Sequence, residues 1–380
     1  MQVSASLDIA PEELLRRLEQ GEDLAVLDVR SAAEAGAWRI ETTAETPFLN
    51  VPFEAFLEDL TEAVARVPKD RPVAVVCGRG RTSVYVTEVL RGAGLQAFSL
   101  AGGMRAWSEL YRPRRFNLTE RVSVWQLDRL AKGCLSYVIA AGGEALVVDP
   151  GRDVEQYLRL AAEQGLALKY VADTHLHADH VSGGRELAVR AGVPYYLSPA
   201  DAADVTFSYD PLTPDVELSL GSESVQVKAV PMPGHTPGST ALVIDGKALL
   251  TGDALFIESI GRPDLGGQAG AWVEDLYQTV GQDLTRLPGE LQVFPAHYAS
   301  SSERGDLGVV TATLETLRRT NRALKVTSRE EFRLMILGGM PEQPANYQVI
   351  RRINKGLISP GDDLAGDLET GPNRCAATGA

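Results

Sequence analysis

Five histidines occur in the 380 residues, and three of them, His175, His177 and His180, fall inside the six-residue string H-L-H-A-D-H, which also holds Asp179. At that frequency a single His-x-His is expected by chance roughly 0.07 times in a chain of this length. The other two, His235 in M-P-G-H-T-P-G and His297 in V-F-P-A-H-Y, each follow a short apolar run, and Asp253 stands between them in L-L-T-G-D-A-L. Imidazoles and carboxylates brought from several strand ends are the donor set of a divalent transition metal. The string follows the apolar run Tyr170 to Thr174, so side-chain alternation predicts that His175 and His177 leave a strand end on the same side.

Cys77 is the second reactive group. It ends the apolar run P-V-A-V-V-C and is followed by G-R-G-R-T-S and then a helical pattern. A thiol at a strand-to-helix turn faces several backbone N–H groups and the positive end of the helix dipole, both of which stabilise a thiolate. Gly78 and Gly80 permit the tight curl, and Arg79 and Arg81 add charge that can receive an anionic sulfur donor. The reading predicts a depressed Cys77 pKa. Cys134 reads as a core residue at the start of a strand and Cys375 as a tail residue without chemistry. Three cysteines are an odd, sparse set, which argues against a disulfide framework and for reduced thiols.

The elements that must carry these groups are legible in part. Pro11 to Gln20 reads as a helix, with Pro at its start and Gly21 just past its end. Leu24 to Val29, Pro72 to Cys77 and Gln96 to Leu100 read as buried strands, separated by helical runs at Phe53 to Val67, Ser83 to Arg91 and Met104 to Leu110. This alternation implies right-handed crossovers and a parallel sheet. Tyr111 to Asn117, Y-R-P-R-R-F-N, breaks the pattern and reads as a linker. Beyond it, hairpins are predicted across Gly142-Gly143 and Asp245-Gly246-Lys247, with helices at Val154 to Gln164, Gly184 to Ala191 and Ala271 to Val280. Ser359 to Ala380 has few large apolar residues and reads as a frayed tail. At about 150 residues per domain the length implies two domains, expected at 1–114 and 115–358, with 359–380 a flexible tail.

The charge is 37 Lys plus Arg against 51 Asp plus Glu, a net −14 that repels nucleic acid and anionic lipid. No apolar run is long enough to span a bilayer. Met1 to Asp8 lacks the basic cluster and apolar stretch of a secretory signal, so a cytoplasmic location is expected. A homo-oligomer is compatible with the sequence.

The histidine constellation resembles the metallo-β-lactamase superfamily, whose signature is H-x-H-x-D-H followed by a His, a bridging Asp and a final His. The match covers about Val122 to Gly356. The resemblance implies an αββα sandwich with metal between the two sheets. Di-zinc hydrolases such as glyoxalase II would place His175, His177 and His235 on one ion, Asp179, His180 and His297 on the other, and Asp253 between them, to generate hydroxide from bound water. The string A-L-F-I-E-S-I-G-R-P-D-L after Asp253 and the segment P-A-H at His297 are instead similar to the persulfide dioxygenases. In that family one Fe(II) per chain is held by the residues matching His175, His235 and Asp253, leaving positions for O₂ and a substrate sulfur. His177, Asp179, His180 and His297 would then support that ion or hold a second metal, and Arg262 would lie near the substrate. Tyr298 stands where that family commonly has Asp.

The first domain resembles the rhodanese family, through V-L-D-V-R at Val26 to Arg30, the C-x-x-G-x-[RT] loop and S-L-A-G-G-M-R-A-W at Ser99 to Trp107. That family implies a persulfide carried on Cys77, with Gly78, Arg79, Gly80, Arg81 and Thr82 receiving the donor. Thr82 stands where many members have Arg, and Ala37-Trp38-Arg39-Ile40 replaces a common Gly-His-Ile. The fold expected is thus α/β: a rhodanese-like parallel sheet with helices, then a metallo-β-lactamase αββα sandwich. The expected activity is iron-dependent oxidation of glutathione persulfide, or a similar small persulfide, by O₂ to sulfite, with Cys77 exchanging sulfur with sulfite or thiosulfate. Two alternatives stay open. One is a glyoxalase II-like thioester hydrolase with two Zn and an accessory rhodanese domain; the other is a sulfur-carrier module with a fully coordinated structural metal.

Overall fold

Buried four-residue strands rich in Val and Ala need a sheet partner on each edge and apolar cover on both faces. In the computed structural model, which describes residues 6–42, 46–222, 225–267, 269–338, 340 and 342–377, they obtain both. The chain forms two units, one made mainly of residues 1–110 and the other of Tyr111–Arg129, Gly133–Glu369 and Asn373–Ala380.

In the first unit β1 (Asp8–Ile9), β2 (Ala25–Asp28), β3 (Phe48–Asn50), β4 (Val73–Val76) and β5 (Ala97–Leu100) form a parallel sheet in the order β1-β5-β4-β2-β3. The helix Pro11–Glu19 has proline in its first turn and buries Leu14 and Leu18. The helix Thr82–Gly92 buries Val86 and Leu90 in a core shared with Val73, Val75 and Cys77. The helical run Phe53 to Val67 is two helices, Phe53–Glu58 and Leu60–Ala65. Asp59 separates them with an extended backbone and caps the second by accepting from the Glu62 N–H at 3.0 Å. The residues 1–5, where most of the signal reading falls, lie outside those described.

The second unit holds two sheets. One runs β12-β11-β10-β9-β8-β7-β6, built from β6 (Tyr111–Asn117), β7 (Val122–Arg129), β8 (Cys134–Ala141), β9 (Glu144–Val148), β10 (Ala167–Ala172), β11 (Tyr195–Leu197) and β12 (Asp210–Pro211). The other runs in sequence order: β13 (Glu217–Leu220), β14 (Val225–Pro231), β15 (Thr240–Ile244), β16 (Ala248–Gly252), β17 (Gln292–Pro295) and β18 (Ala312–Thr313). Both expected hairpins form: Ala141 pairs Glu144 across Gly142-Gly143, and Ile244 pairs Ala248. Leu135, Tyr137 and Ile139 pack face to face with Leu242, Ile244, Leu250 and Phe294 of the opposite sheet. The outer faces are covered by helices, Glu155–Glu163 and Gly184–Ala191 on one side and Ala269–Gln278, Leu314–Thr320 and Arg329–Gly338 on the other. This is an αββα sandwich.

Two expectations are corrected. Tyr111–Asn117 is not a linker but a strand, paired with β7 along its whole length at the edge of the seven-stranded sheet. Pro113 misled the reading, since proline is tolerated on an edge strand. The segment from Ser359 is not a frayed tail: it contains the helix Asp362–Glu369, and Glu369, Cys375 and Ala377 are buried. Polar anchors hold it, chiefly the Glu369 carboxylate against the Arg129 and Arg152 guanidinium groups at 3.1 and 2.9 Å. The tail's last residues, 378–380, lie outside those described.

Candidate metal centre and cysteine loop

One edge of the sandwich collects the chemistry. His175 to His180 follow β10, His235 follows β14, Asp253 follows β16, His297 follows β17, and Asp149 follows β9. Because β10 ends at Ala172, strand alternation does not orient His175 and His177. Their rings lie 4.2 Å apart but belong to different groups of donors.

His175, His235 and Asp253 form the first group. The Asp253 Oδ2 lies 3.8 Å from His175 Nε2 and 3.3 Å from His235 Nε2. All three atoms are buried and have no hydrogen-bond partner. Burying such groups without partners costs several kcal/mol in total, so three of them converging is what a metal site requires. Each is aimed by its other end. The His235 Nδ1 donates to the Arg262 carbonyl at 2.9 Å, which leaves the lone pair on Nε2. The Thr174 hydroxyl gives its one proton to Asp149 at 2.9 Å and so accepts from His175 Nδ1 at 3.0 Å, with the same result. Burial holds both imidazoles below their ordinary pKa, the unprotonated form that a metal needs. Asp253 Oδ1 is held by His297 Nδ1 at 2.6 Å. The set fits a two-histidine, one-carboxylate metal site.

The second group, Asp179, His180 and His297 with Cys134, is internally satisfied. His297 Nε2 lies 3.0 Å from Asp179 Oδ2, His180 Nδ1 lies 3.1 Å from Asp179 Oδ1, and Cys134 Sγ donates to Asp179 Oδ2 at 3.1 Å. Burial would depress the two imidazoles, but the facing carboxylates outweigh it: His297 is raised well above its ordinary range by Asp253 and Asp179, and His180 to about 10 by Asp179. His177 falls in a third group with Asp149 and Asp173; its Nε2 is 3.1 Å from Asp149 Oδ1, while its Nδ1 has no partner.

Arg262 is buried, and its guanidinium grips Asp264 at 2.6 and 2.7 Å. It therefore reaches the centre through its carbonyl rather than through the charge expected to meet substrate. Sequence reading also missed the braces. Asp201 accepts from the Leu176 N–H and the Thr236 hydroxyl at 2.9 and 2.7 Å, clipping the first histidine loop to the segment after His235. Asn354 Nδ2 donates to the His177 and His180 carbonyls, both at 2.9 Å. Only Asp149 left a usable signal, a charge that ends the apolar run A-L-V-V-D.

In the first unit Cys77 is buried at the end of β4. Its Sγ accepts from the Gly80 N–H at 3.1 Å and lies 3.2 Å from the Ser83 hydroxyl, which in turn is 3.0 Å from Ser99. Burial pushes the thiol pKa up, but the Ser83 and Thr82 hydroxyls and nearby backbone N–H groups bring it below the ordinary value. Arg79 and Arg81 lie on the exposed rim of this loop. The loop closes against Gly103, where a Cβ would come within 2.3 Å of the Cys77 carbonyl oxygen. That requires glycine in the S-L-A-G-G-M segment.

Comparison with known proteins agrees with both halves. The model of the metallo-β-lactamase superfamily matches residues 130–303 and that of the rhodanese-like domain residues 10–110. The chain is 38% identical over 174 residues to a hydroxyacylglutathione hydrolase of Anaeromyxobacter dehalogenans, covering 46% of this chain and 65% of that relative's length. It is 30% identical over 221 residues to the mitochondrial persulfide dioxygenase ETHE1 of Mus musculus, covering 57% of this chain and 81% of the relative. Among solved structures, ETHE1 from Myxococcus xanthus superposes with a TM-score of 0.54 at 25% identity, covering 62% of this chain and 98% of that one. The chain therefore belongs to the metallo-β-lactamase superfamily as a homologue of the ETHE1 persulfide dioxygenases, and carries a rhodanese-like domain ahead of that part.

Proposed function

We propose that the protein oxidises a low-molecular-weight persulfide, glutathione persulfide being the fitting substrate, at one Fe(II) held by His175, His235 and Asp253. The balance is RSSH + O₂ + H₂O → RSH + SO₃²⁻ + 2H⁺, in which the sulfane sulfur loses four electrons and O₂ gains them. When bound, the iron supplies positions on which O₂ and the substrate sulfur meet. The chain's own contribution is aim and enclosure. Thr174 and the Arg262 carbonyl fix the two imidazole tautomers, His297 steadies the carboxylate, and burial of all three donors keeps the site dry.

We further propose that Cys77 carries the sulfane sulfur and passes it to sulfite, Cys77–S–S⁻ + SO₃²⁻ → Cys77–S⁻ + S₂O₃²⁻. The hydrogen bonds on its Sγ favour the thiolate that leaves. None of the three cysteines is paired in a disulfide, which suits the reducing cytoplasm. Among the described residues no helix is long and apolar enough to cross a membrane.

The observation carrying the oxidative reading is the contrast between three converging atoms without partners and a neighbouring group that satisfies itself. The hydrolase relative supports the rival reading, a pair of zinc ions acting on a thioester. Metal analysis with persulfide-dependent O₂ uptake separates them. The expected result is about one iron per chain with O₂ consumption, both lost in His235→Ala. Two zinc ions and thioester hydrolysis without O₂ uptake would overturn it.

A further inference from the structure

We propose that Cys134 restricts the centre to a single ion, its thiol filling the corner between Asp179 and His297 that a second ion would need. The inference rests on the single-ion reading above.

Cys134 and His297 face each other across an antiparallel bridge between the start of β8 and the end of β17. The Leu135 N–H donates to the Ala296 carbonyl at 2.7 Å, and the Tyr298 N–H to the Gly133 carbonyl at 3.1 Å, so the main chain is pinned on both sides of the thiol. Gly133 makes this approach possible: at its φ of +71° a Cβ would come within 2.6 Å of the Tyr298 carbonyl oxygen. The segment G-C-L is thereby laid against A-H-Y.

The sulfur then stands 3.1 Å from Asp179 Oδ2 and 3.2 Å from His297 Nε2, and those two atoms are 3.0 Å apart. A transition ion bound to that oxygen and nitrogen must lie about 2.0–2.2 Å from each. On the side of that pair that faces Cys134, every such position brings it against the sulfur. Either the sulfur withdraws or it becomes a thiolate ligand. Withdrawal is opposed by the pinned backbone and by the buried surroundings of Cys134. Ligation would give up the hydrogen bond from the thiol to Asp179. The partner pattern favours exclusion, since Asp179 and His297 leave no buried polar atom without a partner, whereas His175, His235 and Asp253 leave three.

The test is metal uptake by the full chain. Wild type, Cys134→Ala and Cys134→Val are saturated with Zn(II), freed of loosely held ions and analysed. We expect about one ion per chain in wild type and in Cys134→Val, whose methyl groups still fill the corner, and about two in Cys134→Ala. A Cys134→Ala protein that stays at one overturns the proposal. Titrating wild type with Co(II) keeps it falsifiable even if the alanine variant fails to fold. Saturation at one equivalent without a thiolate-to-cobalt charge-transfer band is expected; two equivalents with that band would overturn it. Persulfide oxidation by wild type separates the two levels. Its absence with one ion bound removes the functional reading alone, and its presence with Cys134→Ala unchanged removes this inference alone.

Discussion

The Cys77 loop and the metal centre prepare reactive groups in opposite ways. The loop is nearly contiguous: Cys77, Gly80, Thr82 and Ser83 lie within seven residues, with Ser99 and Gly103 supplied by the next strand and turn. The centre draws His175, His235 and Asp253 from three separate strand ends and braces them with Asp149, Thr174, Asp201 and His297 from across the sandwich. A thiolate needs a few donors, which one turn can supply. A metal needs lone pairs pointed at one spot, which only a folded sheet edge can arrange.

This contrast can be broken by exchanging the dependence. Cys77→Ser should lower sulfur transfer to sulfite by more than ~1000-fold, because the nucleophile itself is removed, while O₂ uptake with a small persulfide stays within about twofold. Parallel loss of both activities would show that the two sites do not act separately.

A smaller effect is expected from Thr174→Val. Removing the hydroxyl leaves His175 Nδ1 without its acceptor, and metal affinity should fall about 10–100-fold in a chelator competition. Unchanged affinity would mean that the histidine needs no brace. The smallest effect is in the loop. The alkylation rate of Cys77 rises with pH as the thiol loses its proton, with a midpoint below that of an ordinary thiol. Ser83→Ala removes a hydroxyl that favours the thiolate, so the midpoint moves up; a midpoint that stays in place would shift the credit to the backbone N–H groups.

The same contrast explains what could be read from the residues alone. The Cys77 loop was legible because its parts adjoin in sequence, and five histidines in a tight pattern were conspicuous for their number. Cys134 reads as a core residue because it begins the apolar strand C-L-S-Y-V-I-A-A, yet it meets Asp179 and His297 through strand pairing. The edge strand Tyr111–Asn117 was obscured by Pro113 and its arginines, and the C-terminal helix by its lack of large apolar residues. In both places polar pairing does the holding, through Arg112 on Asp128 at 2.9 Å and Glu369 on Arg129. Periodicity of apolar residues cannot report that.

The clasp on the first histidine loop sets an order of events during synthesis. The Ser182 N–H is received by Asn354 at 2.9 Å and the Val181 N–H by Glu369 at 2.5 Å. Those partners leave the ribosome more than 170 residues after the loop they secure. While the nascent chain is still growing, the N-terminal unit can fold and shelter its thiol, but the histidine loop, though braced by Asp149 and Asp201, still lacks these two acceptors. The fastening of this loop is therefore complete only once Asn354 and Glu369 have been made, and a chain cut before Asn354 would keep the thiol loop beside a histidine loop without it.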